Sequence, residues 1–194
     1  MNDSQIAEWF KEHVASRTKM ADGNGNEVDM LIWAEPGITT YKMVFIHHKN
    51  MLMVYGDLGE AVYGWSSLNS LEWIAACEIG YFASKCEASE YGWQYREWDE
   101  QEALRCIQGY LEEPEKMKLF KENDGESSMG NQHDWIEWLR LHGDEVFGQD
   151  WWEFAPSIGE TIAVRCRAHL IGLKMAIKLQ TATEKEPAPG VQKP

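Results

Sequence analysis

The feature that most constrains the fold is a change in the spacing of apolar residues near Trp65. Before it, short apolar runs separated by turn-forming residues predict strands, because strand side chains alternate between two faces and turns favour Gly, Pro, Asn and Asp. The runs are EVDMLIW, TTYKMVFI, MLMVY and EAVYGW, and the segments between them are EPGI, HHKN and GDLG. We therefore predict an antiparallel meander of three or four strands over residues 27–65.

After Trp65 the apolar residues recur every three or four positions, which is the spacing of one helix face. Asn69 with Glu72, and Asp99 with Glu102, have the spacing of helix-capping pairs. A further helical pattern precedes the sheet. The predicted helices lie in SQIAEWFKEHVASR, at about 70–85, between Asp99 and Pro114, over DWIEWLRLHG and at about 161–179.

These patterns predict an α+β fold, with an N-terminal helix, an antiparallel three- to four-stranded β meander and a mainly helical C-terminal half over 70–179. A chain of 194 residues with 44% hydrophobic content can bury a core of its own. We therefore expect a single domain over 1–183, with two small domains as the alternative. The last segment, EKEPAPGVQKP at 184–194, is predicted to be a disordered tail.

Acidic residues are concentrated in the middle of the chain. The net charge is −14, and residues 87–153 hold 18 acidic against 6 basic residues, a net charge of −12. Such a field repels nucleic acid and anionic lipid and attracts basic partners, so we predict no direct nucleic-acid binding and no membrane binding. The carboxylates that we select as a candidate interaction surface are Glu97, Asp99, Glu100, Glu102, Glu112, Glu113, Asp134, Glu137, Asp144 and Glu145.

Two interpretations of this acidic, Trp-rich segment stay open. In one, the acids are solvated helix faces and helix starts, and the tryptophans belong to the core. In the other, the segment is a binding surface, because rigid aromatic side chains supply binding energy and a dense charge speeds encounter with an oppositely charged site.

The chain has the composition expected of a cytoplasmic protein. No window approaches the roughly 18 consecutive apolar residues of a membrane span, and MNDSQIAEWFKEH lacks the regions of a signal peptide. The four cysteines, Cys77, Cys86, Cys106 and Cys166, form no CxxC pair, so we expect free thiols in a reducing compartment.

No motif names a reaction. His47 and His48 sit at a predicted strand turn, and because adjacent residues in a strand point to opposite faces, they are unsuited to bind one metal ion together. GDLGEA lacks the spacing of a phosphate-binding loop and is explained by a turn with positive φ at Gly56 or Gly59. We predict no catalytic residue, no cofactor and no metal.

Three runs resemble a family of small acidic accessory proteins, of unassigned function, of tailed phages and prophages: GDLGEAVYGWSS, SLEWIAACEIGYFASKCEASEYGW and AVRCRAHLIGLKMA. The resemblance covers most of the chain from about Val54 to about Leu179. It implies an accessory protein expressed in the bacterial cytoplasm during infection, with no catalytic residues to carry over. By analogy with small acidic counter-defence proteins, among them anti-CRISPR proteins, it favours an inhibitory role.

Two functions of different classes follow as hypotheses. The first is a non-catalytic inhibitor that binds a host protein with a basic surface, such as a nucleic-acid-binding defence complex, through the acidic segment; a homo-oligomer stays open. The alternative is a small enzyme or nucleotide-binding protein with a pocket between sheet and helices, around His47, Asp57, Glu60 and Cys77.

Overall fold

The computed structural model describes residues 1–90 and 95–185, which divide into two compact units. The helical unit is Arg96–Thr161, and the sheet unit is formed by the residues before and after it. Each unit has its own hydrophobic core. The predicted fold class is confirmed: an N-terminal helix is followed by an antiparallel sheet and then by a mainly helical C-terminal half.

The sheet has six strands, which lie in chain order and pair antiparallel with their neighbours. They are β1 (Val14–Ala21), β2 (Glu27–Ala34), β3 (Met43–His48), β4 (Met51–Gly56), β5 (Ala61–Gly64) and β6 (Cys86–Ser89). Three or four strands were predicted over 27–65; β1 and β6 extend the sheet beyond that region at both ends.

The first helix is shorter than predicted. Helix α1 is Asp3–Glu8, whereas the pattern in SQIAEWFKEHVASR predicted helix up to about residue 17. Residues from Val14 onward instead form β1, which is paired with β2 over its whole length. Cross-strand hydrogen bonds and packing here outweigh the local helical spacing, as they often do for a segment without strong helix propensity.

The helix predicted at 70–85 is broken into α2 (Leu71–Ala75) and α3 (Ile79–Ala83). Its cap is Ser70, whose side chain accepts a hydrogen bond from Trp73 N, and not the predicted Asn69. The last helix, α8, is Val164–Lys185 and is longer than predicted. A side chain at Gly172 would collide with Met43, so α8 lies close against the inner face of the sheet.

The inner face of the sheet carries the core of the sheet unit. It is built from alternate residues of the strands, which pack against α8, and apolar residues of α1 and α2 complete the same core. They are Leu31, Trp33, Met43, Phe45, Leu52, Val54, Ala61 and Tyr63.

The helical unit is entered and left through two paired strands, β7 (Arg96–Trp98) and β8 (Glu160–Ile162). Its helices are α4 (Glu100–Tyr110), α5 (Pro114–Glu122), α6 (Gly125–Ser128) and α7 (Gln132–Phe147), followed by two 3₁₀ helices at Trp151–Glu153 and Ala155–Ser157. Helix α7 runs beyond the predicted end at Gly143, which has no positive φ and packs beneath the Trp151 ring inside the helix.

The predicted N-terminal cap of α4 is confirmed, since Asp99 Oδ1 accepts a hydrogen bond from Glu102 N at 3.1 Å. No helix in the described ranges is both long and apolar enough to cross a membrane. The predicted tail lies, from residue 186 on, outside the described residues.

Candidate functional site

All ten predicted interaction residues lie in the helical unit, in three local groups. Four surround the start of α4, two lie between α4 and α5, and four lie on α7. Eight are exposed, and Asp99 and Glu102 are half-buried. The groups are Glu97, Asp99, Glu100 and Glu102; Glu112 and Glu113; and Asp134, Glu137, Asp144 and Glu145.

The two half-buried carboxylates have structural partners. Asp99 caps α4, and Glu102 forms an ion pair with Arg105. That hydrogen-bonded pair lowers the pKa of Glu102, because it stabilises the charged carboxylate. The start of α4 therefore contributes to helix stability as well as to surface charge.

The four acids of α7 share one side of the helix. With 100° per residue, positions 134, 137, 144 and 145 fall within an arc of roughly 100°. Leu141 lies inside the same arc and is 79% exposed, one of the most exposed large apolar side chains of the described chain. We call this surface the α7 stripe: Asp134, Glu137, Leu141, Asp144 and Glu145.

Two carboxylates of the α7 stripe are oriented by neighbouring side chains. Glu137 pairs with Arg140 on the next turn, and Asp144 Oδ1 accepts a hydrogen bond at 3.0 Å from Trp151 Nε1. The adjacent Trp152 is 63% exposed. An exposed leucine among acids is an amphipathic surface suited to a basic partner with an apolar spot.

The charge of the helical unit is one-sided. It contains 17 acidic and 6 basic residues, a net charge of −11, which leaves −3 for the rest of the chain. Every one of the six basic residues already forms an ion pair with a carboxylate of the same unit. The pairs are Arg96–Glu160, Arg105–Glu102, Lys116–Glu113, Lys118–Glu122, Lys121–Glu126 and Arg140–Glu137.

Most tryptophans of this unit are core and not surface. Trp135 is fully buried and stacks on Trp138, with ring centroids 5.1 Å apart. Trp135 Nε1 donates to Ala155 O at 2.8 Å, and Trp138 Nε1 donates to Asn123 O at 2.6 Å. Trp152 is thus the main aromatic side chain left on the predicted surface, and the carboxylates determine the charge of that surface.

The residues of the alternative site do not gather in one pocket of the described chain. His47 lies opposite Leu52 near the start of β4, whereas Asp57 follows the end of β4, about 17 Å further along. Asp57 accepts a hydrogen bond from Tyr41 N at 2.9 Å. Gly56 and Gly59 both have positive φ, which confirms that GDLGEA forms a turn.

Cys77 is also a structural residue. Its Sγ donates to Trp73 O at 3.6 Å, and burial raises the pKa of the thiol. A protonated, buried thiol is a poor nucleophile, because the thiolate is the reactive form. Glu60 lines a groove on the outer face of the sheet, and His47 lines a separate polar pocket on the inner side.

The polar pocket has a volume of about 240 Å³. Its floor is an ion-pair network in which the Arg17 guanidinium donates to Asp29 and to Glu72. Burial raises the pKa of Glu72, but the Arg17 hydrogen bond and further hydrogen bonds outweigh it and bring that pKa to about 2. Because Arg17 is already bound to two carboxylates, it is a weak candidate for binding an anionic ligand.

A second buried polar cluster lies between β5, which contributes Tyr63, and α8, which contributes Cys166 and His169. The Tyr63 hydroxyl is 2.9 Å from His169 Nδ1 and 3.7 Å from Cys166 Sγ. Burial lowers the pKa of His169 to about 4 and raises that of Cys166 to about 12. Both groups are neutral at pH 7, and they lie inside the core, where substrate has no access.

Within the described ranges, no group of three or more His, Cys, Asp or Glu side chains is arranged to hold a metal ion. Comparison with known protein families, with curated proteins and with solved structures gives no match. The resemblance to phage accessory proteins therefore stays a prediction.

Proposed function

We propose that the protein is a non-catalytic binding protein that engages a basic protein surface through the helical unit, with the α7 stripe at the centre of contact. The observation that carries this proposal is that every cation of the helical unit is already paired inside the unit, while carboxylates exceed cations by eleven. The excess negative charge has to be balanced by solvent ions or by a partner. A basic partner that binds takes the place of these solvent ions and is attracted by the same charge.

Leu141 supplies the second support for the proposal. An apolar side chain at the centre of a charged surface loses little hydration free energy when a partner covers it and excludes water. The surrounding charges steer the encounter. Leu141 is flanked by Glu137 one turn before it and by Asp144 and Glu145 one turn after it. This arrangement favours one defined contact over diffuse attraction of cations.

The resemblance to phage accessory proteins supports a partner class. In the proposal, the chain acts in the cytoplasm of an infected bacterium and inhibits a defence complex that handles nucleic acid. Such complexes present Lys- and Arg-rich grooves to phosphate groups. Carboxylates on the α7 stripe would occupy the positions of phosphates and block the groove, as an anti-CRISPR protein does in the hypothesis stated above.

The test uses one variant and one control of equal charge. The stripe variant is Glu137→Gln, Asp144→Asn and Glu145→Gln; the control is Glu8→Gln, Glu12→Gln and Glu78→Gln, three exposed carboxylates of the sheet unit. Each protein is immobilised and exposed to a nuclease-treated bacterial lysate at about 0.05 M and about 0.5 M salt, since screening separates charge-driven from apolar binding.

We expect a basic protein that binds the wild type and the control at low salt and is lost with the stripe variant and at high salt. Added double-stranded DNA should displace it, because both ligands would use the same basic groove. Equal capture by the stripe variant and the control would contradict the proposal. Capture that DNA does not affect would contradict the nucleic-acid-handling partner.

A further inference from the structure

The outer face of the sheet is the surface that the proposed function leaves unused. The strand register places alternate residues of β1 to β6 on this face, opposite the residues that pack against the helices. Its apolar members are Val14, Met20, Val28, Met30, Ile32, Ala34, Val44, Ile46, Met51, Met53, Tyr55, Val62 and Ala88.

The composition of this face departs from that of the whole chain. Among the strand positions that the structure describes here, Glu87 on β6 is the one Asp, Glu, Lys or Arg, and its side chain lies over Gly64, although charged residues make up 26% of the sequence. Ser16, Thr18, His48 and Gly64 complete the face. Antiparallel sheets with one face in water normally carry polar residues there, so this face has the character of a buried one.

The face is nevertheless accessible along β4 and at the β1 edge, whereas Val44 on β3 is only 3% exposed. Met51 is 41% exposed, Met53 and Tyr55 are each 42% exposed, and Met20 on β1 is 49% exposed. A groove of about 480 Å³ runs over β4, β5 and β6, where the small side chains of Val62 and Ala88 lie beside Met53 and Tyr55. Flexible methionines are suited to fill such a groove when a second surface packs on it.

We propose that this face is a dimer interface and that its occupant is the same face of a second copy of the chain. The inference goes beyond the proposed function and does not depend on it. Two apolar sheets pack face to face in β-sandwiches at about 10 Å separation. A two-fold axis near the centre of the face brings the cross-strand pair Ile46 and Met53 of each copy together.

The area is sufficient for such a dimer. Six strands about 4.8 Å apart, with about six residues each at about 3.4 Å per residue, cover roughly 29 by 20 Å. Two such faces bury on the order of 1,200 Å², which is the lower end of specific interfaces. The groove adds depth to this contact, since Met53 of one copy has apolar space to enter on the other.

Charge favours the same occupant. A self-complementary interface places identical residues near one another, which is unfavourable for charged residues and neutral for this face. In the described strands and turns, carboxylates reach this face toward its margin: Asp22 beside His48, Glu87 over Gly64, and Glu60 and Glu90 along the groove. Each copy carries a net charge of −14, so the dimer should strengthen as salt screens this repulsion.

The experiment is sedimentation velocity on the full chain from about 1 to about 100 μM, a range that covers micromolar dissociation constants. The test variant is Met53→Glu, at the centre of the face; Met51→Glu, on the same strand, is the second variant. Leu68→Glu is the matched control, since Leu68 is in the same unit and 78% exposed outside the strands. Circular dichroism verifies that each variant is folded.

We expect a concentration-dependent dimer for the wild type and for Leu68→Glu, with dimerisation stronger at about 0.5 M than at about 0.05 M salt. Met53→Glu and Met51→Glu should weaken it by about tenfold or more, because two charges would be buried without partners. A wild type that stays monomeric over the whole range overturns the proposal. A dimer that is unchanged by both folded variants, or that dissociates with added salt, overturns it as well.

Discussion

The two units of this chain use charge in opposite ways. The helical unit has a net charge of −11, and its six basic residues all form ion pairs on its surface. The sheet unit has a net charge of −3, and its most enclosed ion pair, Arg17 with Asp29, lies largely out of solvent. An enclosed ion pair therefore supports the structure of the sheet unit, whereas most ionisable groups of the helical unit set its surface potential.

The difference separates the two surfaces that are proposed to bind partners. Binding through the α7 stripe depends on long-range attraction and should weaken with salt, whereas contact through the outer sheet face depends on apolar burial and should not. The strands β7 and β8 pair the first residues of the helical unit with its last residues, so the chain enters and leaves this unit side by side. A change in one unit is expected to leave the core of the other intact.

The largest effect is expected from Trp135→Ala in the helical core. The change removes a fully buried side chain, its stacking on Trp138 and its hydrogen bond to Ala155 O. The cost should be about 3–5 kcal/mol, enough to unfold the helical unit. Hydrogen exchange should show loss of protection in α4 to α7 and retained protection in β2 to β4; Trp152→Ala, at an exposed position, is the control.

That prediction also tests the division into two units. If Trp135→Ala unfolds the sheet as well, in one cooperative transition, the two cores form a single cooperative folding unit.

The next effect concerns the ion pairs that distinguish the units. Arg17→Met leaves the carboxylate of Asp29, whose side chain is 4% exposed, without its main partner, and should destabilise the sheet unit by about 3 kcal/mol. Lys118→Met removes an exposed i,i+4 pair with Glu122 and should cost less than about 1 kcal/mol. Urea unfolding of both variants measures the ratio, and equal costs would contradict the contrast between the units.

His169 makes the sheet unit sensitive to mild acid. Burial holds its pKa at about 4, below the ordinary value near 6.5, with Tyr63, Cys166 and Arg165 around it. Above pH 6.5 neither state is protonated; between pH 6.5 and 4 the unfolded state takes up a proton that the folded state excludes. Stability should therefore fall by about 3 kcal/mol as the pH drops through this window and lose nothing further from this group below it.

The comparison is between His169→Gln and His133→Gln, the latter at an exposed position of the helical unit. Unfolding free energies at a series of pH values should show a flatter dependence for His169→Gln, whatever its stability at pH 7. A slope unchanged from wild type would show that His169 titrates normally in the folded protein.

The sequence predicted the fold class but not the boundaries of its elements. Apolar runs and turn residues located β2 to β5, because those strands are adjacent in sequence and joined by short turns. The strands β1 and β6 were missed. Both pair with neighbours through tertiary contacts that their own residues do not signal: VASRTKMA is mostly exposed, and CEAS is only four residues long.

The sites show the same limit. The acidic residues were recognised by count, but their alignment with Leu141 requires α7 to continue past Gly143, where the glycine was read as a helix end. The outer sheet face had a usable signal in the runs MLIW, MVFI and MLMVY. Nearly continuous apolar runs, in place of alternation, indicate a strand that is apolar on both faces.

The smallest effect on stability, and the sharpest test of what the α4 start contributes, is expected from Glu97→Gln, Asp99→Asn, Glu100→Gln and Glu102→Gln combined. Asn at position 99 keeps a side-chain oxygen for the cap, and the exposed charges of Glu97 and Glu100 and the surface ion pair of Glu102 with Arg105 contribute about 0–1 kcal/mol each, so melting should change little. Partner binding should fall through slower association, and the difference should shrink as salt is added, because steering is screened. Arg165→Gln in the sheet unit is the control and should have a smaller effect. If the folded quadruple variant associates at the wild-type rate while the stripe variant does not, the carboxylates at the α4 start serve the helix alone, and the binding surface is confined to α7.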